Sequence, residues 1–212
     1  MKKFTLKKAC AVVLGNLILG TGAAALRISQ MGNDPYTAAN MAISDGLHMS
    51  LGTYQLIVNL VIFIVQLAIG RKYIGFGTVI NLFFLGYIIE YAGKFMESIP
   101  IIPNNASLWM KLLFMIVALL LLSFGVAMYQ TAELGVSPYD YLPFGMTDHL
   151  PIPYFFNRMI TDGICVVVIL VAVFSGFISW ENSHLGIGTI LGAFCLGPFI
   201  NFFSKHIRKF LF

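Results

Sequence analysis

Charged side chains make up only 10% of the 212 residues, against roughly 25% in an ordinary soluble domain. A water-exposed globular surface cannot be covered from so small a supply, which excludes a soluble fold. Cysteine is equally sparse. Cys10, Cys165 and Cys195 are odd in number, lie in or beside apolar runs, and lack metal-ligand spacing, so neither a disulfide framework nor a metal centre is expected. The four histidines, His48, His149, His184 and His206, fall in loops or at segment ends without a shared face, which gives no basis for a zinc site or a proton relay. No nucleophile stands next to a partnered base within one apolar run, so no catalytic residue and no enzymatic activity are expected. Phosphate-cradling sequences are missing too, and no cofactor is implied: Gly75-x-Gly77-Thr78 lacks the Lys-Ser/Thr ending such a loop needs.

What is abundant is apolar surface: 58% of the chain is hydrophobic and its mean hydropathy is +0.86. Six runs, at about 9–31, 52–70, 75–96, 108–133, 153–178 and 186–204, are long enough to cross a bilayer as helices. The net charge of +4 is gathered beside these runs, in Lys2, Lys3, Lys7 and Lys8, in Arg71 with Lys72, and in Lys205, Arg208 and Lys209. Flanking cations of this kind mark cytoplasmic membrane edges, and with no soluble module to carry a basic face a nucleic-acid partner is excluded. The first basic and apolar stretch, followed by Ala23-Ala24-Ala25, has the outline of a secretory signal. A counterpart of the same segment deeper in the chain argues against its removal.

That counterpart belongs to a repeat. Shifting the chain by 103 residues aligns Gly22 with Gly125, Gly32 with Gly135, Pro35 with Pro138, Tyr36 with Tyr139, Asp45 with Asp148 and Asn59 with Asp162. After eight extra residues in the second copy, Gly75-x-Gly77-Thr78 falls on Gly186-x-Gly188-Thr189. The expected organisation is a first membrane repeat over 1–98, a connector over 99–107 rich in proline and asparagine, and a second repeat over 108–212. Asn105-Ala106-Ser107 matches a glycosylation sequon in that connector, a pattern too short to carry meaning.

Each copy holds three spans and one short segment opening with proline, at 35–45 and at 138–148. About 12 residues at 1.5 Å each reach roughly 18 Å, little more than half the hydrocarbon thickness, so these segments are half-helices, re-entrant or interfacial. The expected fold is therefore an all-α integral membrane protein. Three being odd, the second copy enters from the opposite side; the repeats are inverted and both termini lie in the cytoplasm, an arrangement that places most cations inside.

Gly32-Asn33-Asp34-Pro35 and Gly135-Val136-Ser137-Pro138 each read as a helix break and restart: glycine to stop, Asp34 or Ser137 to cap, proline in the first turn. A restarted helix presents free N–H groups and a positive dipole end, the device by which broken helices hold ligands in transporters; a plain surface loop is the alternative. Gly77 with Thr78 and Gly188 with Thr189 read as tight helix starts, with Gly188, Gly192 and Ala193 as a close-packing row. Polar groups inside spans mark function by default. Asn59 and Asp162 occupy equivalent positions on spans two and five, with Gln55 and Arg158 one turn earlier. Arg158 and Asp162 can neutralise each other at i, i+4, or Asp162 can face a cavity and take a cation or proton. Asp34, Asn59, Ser137, Arg158 and Asp162 are thus the candidate pathway residues. Arg27, Glu90 and Glu133 lie near interfaces and read as anchors.

The stretch Leu134-Gly135-Val136-Ser137-Pro138-Tyr139-Asp140, the two Gly-x-Gly-Thr segments and Gly197-Pro198 together resemble the YczE/YitT-type family of bacterial multi-pass membrane proteins, closer to the YczE side because the chain ends at Phe212 without a further soluble domain. The resemblance runs from Gly20 to about Phe203, and the first copy departs from it with Met31, Asp34 and Tyr87 at the equivalent positions. It implies a bacterial cell-membrane location and little mechanism. The first functional expectation is a small-molecule or ion transporter with its site where the repeats meet. A non-transporting regulator or assembly factor, bound to a membrane partner or to a second copy through glycine-rich faces, is the alternative. An aquaporin-like channel ranks third, because the paired Asn-Pro-Ala signature is missing.

Overall fold

The computed structural model describes residues 4–99 and 106–211. Its α-helices are α1 (Leu6–Ile28), α2 (Pro35–Gly46), α3 (Leu51–Ile69), α4 (Phe76–Ser98), α5 (Leu108–Thr131), α6 (Pro138–His149), α7 (Tyr154–Phe174) and α8 (Ile187–Leu211), with 3-10 turns at Arg71–Tyr73 and Trp180–Ser183. Six helices are long and apolar enough to cross a membrane, namely α1, α3, α4, α5, α7 and the segment containing α8, so the protein is a multi-pass, all-helical membrane protein. Most of the connector, including Asn105 of the sequon, and the first two lysines lie outside the described residues.

Several helix boundaries differ from the apolar runs for local reasons. The first helix stops at Ile28 rather than near 31, because Gln30 and Gly32 take φ of 57° and 93° and turn the chain. Gly176, with φ of 75°, follows the end of α7 at Phe174. In the other direction α8 continues past 204, since Lys205, Arg208 and Lys209 are good helix formers whose charge suits a C-terminal end.

The centre of the bundle is the pair α1 and α5, with α4 against α1 and α8 against α5. The pair is antiparallel: Gly15 sits against Tyr129, Gly22 against Leu122, and Lys111 Nζ donates to Gln30 Oε1 at 2.7 Å. Glycine permits this approach, for a Cβ at Gly15 would stand 2.7 Å from the Tyr129 backbone nitrogen. Around this seam Leu19, Leu26, Met115, Leu119, Leu122 and Val126 form the largest apolar core.

On the flanking helices the polarity is inverted relative to a soluble protein. The buried face of α3 carries Gln55, Asn59 and Gln66, while Ile57, Val61 and Ile64 are exposed. Likewise α7 buries Asn157, Arg158, Thr161 and Asp162 and exposes Ile164, Val167 and Val171. Apolar side chains facing outward at helical spacing are what lipid contact requires.

The short helices cross between the halves of the chain: α2 packs on α7 and α6 on α3. Their leading loops are sewn to the starts of α8 and α4. Asn33 N–H donates to His184 O at 3.1 Å and Gly188 N–H to Met31 O at 2.6 Å; Val136 N–H donates to Tyr73 O at 3.0 Å and Gly77 N–H to Leu134 O at 2.8 Å. Broken helices in hydrocarbon must re-pair the backbone groups they free, and each break does so on the other half's glycine turn. Gly188 therefore packs against the first break, not against a neighbouring helix: a Cβ there would lie 2.6 Å from Gly32 O. Gly192, next in the same row, faces Asp34.

Candidate functional site

Each proline-led helix starts on a capped turn, and the two caps use opposite chemistry. Asp34 Oδ2 accepts from Thr37 N–H at 3.1 Å; Ser137 Oγ accepts from Asp140 N–H at 3.0 Å and donates to Asp140 Oδ2 at 2.9 Å. The acid stands at the cap of α2 but in the first turn of α6, with a hydroxyl in the complementary place. Each helix start thus carries one carboxyl. Thr78 and Thr189 close the opposing turns, taking Gly75 N–H at 3.1 Å and Gly186 N–H at 3.2 Å.

The second residue of each short helix is tyrosine. Tyr36 donates to Asn59 Oδ1 on α3 at 2.7 Å, and Tyr139 donates to Asp162 Oδ1 on α7 at 2.5 Å. Their rings stack face to face. Asn59 and Asp162 are thereby linked through a pair of tyrosines, each almost wholly buried.

Beside this stack lies a buried ionic cluster. Arg158 Nε donates to Asp162 Oδ2 at 3.3 Å, and the same guanidinium reaches through Nη1 to Asp140 Oδ1. It also rests over the Tyr139 ring, 5.0 Å from the centroid, where a cation is attracted by the ring face. Asp140 accepts in addition from Tyr129 OH on α5. The i, i+4 pairing of Arg158 with Asp162 is present, but it is one arm of a larger arrangement. Asp34, Asp140, Arg158 and Asp162 are 5%, 5%, 4% and 0% exposed, so one guanidinium pairs with two buried carboxyls while a third, Asp34, lies near without a bond to it.

Asp140 is the member that reading the sequence left out. Its signal was charge parity: a membrane arginine with a single acid on its own helix calls for inspection of the nearest acid on the neighbouring half-helix. The positions 103 residues earlier are neutral, with Gln55, Asn59 and Thr37 in place of Arg158, Asp162 and Asp140. Gln55 is 1% exposed and neither side-chain polar atom has a hydrogen-bond partner among the described residues.

One opening borders the tyrosine stack, and a second is lined by other residues of α5, α6, α7 and α8. A crevice of about 220 Å³ is lined by both stacked tyrosines and by Asn40, Tyr54, Thr161 and Cys165. Asn59 and Asp162 reach it through the tyrosine hydroxyls they bind. A larger cavity of about 640 Å³ lies between α5, α6, α7 and α8 and is bordered by Gln130, Tyr154, Pro198 and Asn201, with Arg208 at its rim paired to Glu133 at 3.1 Å. That volume suits a small molecule. Tyr87, which the sequence alignment of the two stretches sets against Pro198, packs its ring on Gly52, while Glu90 Oε2 accepts Gly52 N–H at 3.0 Å. The remaining anchors are similarly engaged: Arg27 with Glu97 at 3.1 Å and Lys94 with Glu90 at 2.7 Å.

Among the described residues no group of histidine, cysteine and acidic side chains could hold a metal ion.

Comparison with known proteins adds affiliation. A protein of Haemophilus influenzae described as uncharacterised is 24% identical over 194 residues, 91% of this chain and 81% of its own length. The uncharacterised protein YyaS of Bacillus subtilis is 26% identical over 207 residues, 93% of this chain and 96% of its own. No solved structure matches. Residues 6–205 match the model of a family of unknown function, DUF6198, and the chain belongs to that family.

Proposed function

We propose that the protein is a transporter of a small molecule or ion, with its site where the two proline-led helices meet. The observation that carries this reading is the buried cluster of Asp34, Asp140, Arg158 and Asp162, held against the Tyr36 and Tyr139 stack that lines a crevice. Ionisable groups inside a membrane are costly and persist where a pathway uses them.

The architecture is read as two inverted repeats. The paired hydrogen bonds at the breaks and the antiparallel course of α1 and α5 support it, since equivalent helices that run in opposite directions are what inversion produces. Within this reading the protein lies in a bacterial cell membrane with both termini in the cytoplasm, and the kinship with the YczE/YitT type rests on the motifs quoted above. The wider cavity then opens toward the cytoplasm and its counterpart, filled by Tyr87, toward the outside.

The regulator reading loses its motive, because Gly15, Gly125, Gly77 and Gly188 are occupied by contacts within the chain. An aquaporin-like channel fits poorly with a charged cluster that would trap solutes.

Purified protein in liposomes, assayed for flux across a broad panel of ions, amines, acids and sugars, tests the proposal. Flux that falls at least tenfold in Asp162→Asn is expected. A protein that moves nothing, or an Asp162→Asn variant equal to wild type, counts against it.

A further inference from the structure

We infer that Asp34 is a proton-binding site, the one carboxyl of the buried cluster whose negative charge must be neutralised by a proton. Arg158 uses Nε on Asp162 and Nη1 on Asp140. Asp140 gains two further donors, the hydroxyls of Ser137 and Tyr129, and Asp162 gains the hydroxyl of Tyr139. Among the described residues Asp34 is served by Thr37 alone, through its N–H on Oδ2 at 3.1 Å and through its side chain. Its Oδ1 is buried without a hydrogen-bond partner among the described residues, although the whole side chain lies within the electrostatic reach of Asp162 and Arg158. A carboxylate removed from water with one oxygen unpartnered and a second acid nearby is disfavoured in its charged form, and protonation removes that penalty.

The groups facing Asp34 leave the proton as the fitting ligand. On α7 they are Asp162, Arg158 and, one turn on, Cys165. On α6, Asp140 is already bound to Arg158, and α3 contributes Asn59, whose oxygen Tyr36 occupies. Gly192 is what α8 presents, with no ionisable group. At the turn after Trp180–Ser183, the His184 ring is bound to Asp45 at 2.7 Å, at the far end of α2. A hard metal cation needs about six oxygens, a set these residues do not supply.

The chemistry is one reversible step: Oδ1 forms an O–H bond with a proton taken from water and returns that proton to water when the site opens. Only the consequence rests on the transport reading, namely that uptake and release at Asp34 couple solute movement to a proton gradient.

Infrared spectroscopy on the full chain in lipid nanodiscs tests the site without substrate. A carbonyl stretch from a protonated buried carboxyl is expected near neutral pH, disappearing on alkalinisation. It should be lost in Asp34→Asn, retained in the exposed control Asp45→Asn, and shifted rather than lost in Asp34→Glu, which guards against a folding failure of the first variant. A band that is absent at every pH, that survives in Asp34→Asn, or that appears only when sodium is withdrawn overturns the inference. Failure to find flux while the band behaves as expected would count against transport and leave the proton site standing.

Discussion

The rings of Tyr36 and Tyr139 lie 3.8 Å apart between centroids and 10° from parallel, each tyrosine being the second residue of a short proline-led helix from a different half of the chain. The contact joins α2 to α6, and the two hydroxyls then tie it to α3 and α7. One stacked pair therefore fixes four helices around the ionic cluster.

The two hydroxyls are not equivalent in their consequences. Removing the Tyr36 hydroxyl leaves the Asn59 amide short of a donor, whereas removing that of Tyr139 leaves a buried carboxylate short of one. Tyr139→Phe should destabilise by about 1.5–3 kcal/mol and Tyr36→Phe by about 1 kcal/mol. Thermal unfolding of the detergent-solubilised variants, read side by side, checks the order.

Arg158→Met should be far more damaging, because it strands Asp140 and Asp162 together. Loss of one partner from a buried ion pair costs about 3–5 kcal/mol, enough to remove most folded protein from the membrane. Replacing the whole set by its first-half equivalents, Asp140→Thr, Arg158→Gln and Asp162→Asn, should restore folded yield, since no unpaired charge remains. The same triple variant should lack flux. Folded yield is read by size-exclusion chromatography in detergent, and flux in liposomes.

Close approach along the α1 and α5 seam predicts a contrast between two glycines. Gly15→Leu must push Tyr129 away, with overpacking of about 1–3 kcal/mol and displacement of the hydroxyl that serves Asp140. Gly163→Ala, with nothing within 4 Å of the added carbon, should be neutral or stabilising by up to about 1 kcal/mol. Unfolding midpoints of both variants decide whether the seam is as tight as described.

Inversion predicts opposite labelling. In a background without Cys10, Cys165 and Cys195, Asp45→Cys and Asp148→Cys should react with a membrane-impermeant thiol reagent from opposite faces of oriented vesicles. Reaction of both from one face would overturn the inverted arrangement.

At the end of α6, Asp148 lies 2.9 Å from Lys72 Nζ and accepts from Tyr73 OH at 3.1 Å. The bond to Lys72, foremost, holds its carboxyl below the usual carboxylate range. A depressed folded value stabilises above the unfolded pKa of about 3.9, and that contribution disappears as pH falls through the lower folded value. Faster hydrogen exchange in the last turn of α6 is expected below about pH 4, with no such acid-dependent step in Asp148→Asn. The pair is exposed, so the effect is small.

Much of this architecture was legible without coordinates. Spans were evident because hydrocarbon accepts only long apolar helices, and the breaks because Gly32, Asp34, Pro35 and their equivalents act through local backbone geometry. Arg158 with Asp162 was legible for the same reason, being four residues apart on one helix. What escaped was everything that depends on which elements meet. Asp140 is 18 residues from Arg158, and the first break finds its donors and acceptors at 184 and 188. Local periodicity says nothing about such partners. A membrane-spanning helical bundle with short proline-led helices follows from hydropathy and backbone sterics within a few residues, so the chain order alone dictates it. That Tyr36 meets Tyr139, that Arg158 serves two acids and that Asp34 Oδ1 is left without a partner among the described residues depends instead on how α2, α3, α6 and α7 converge in space.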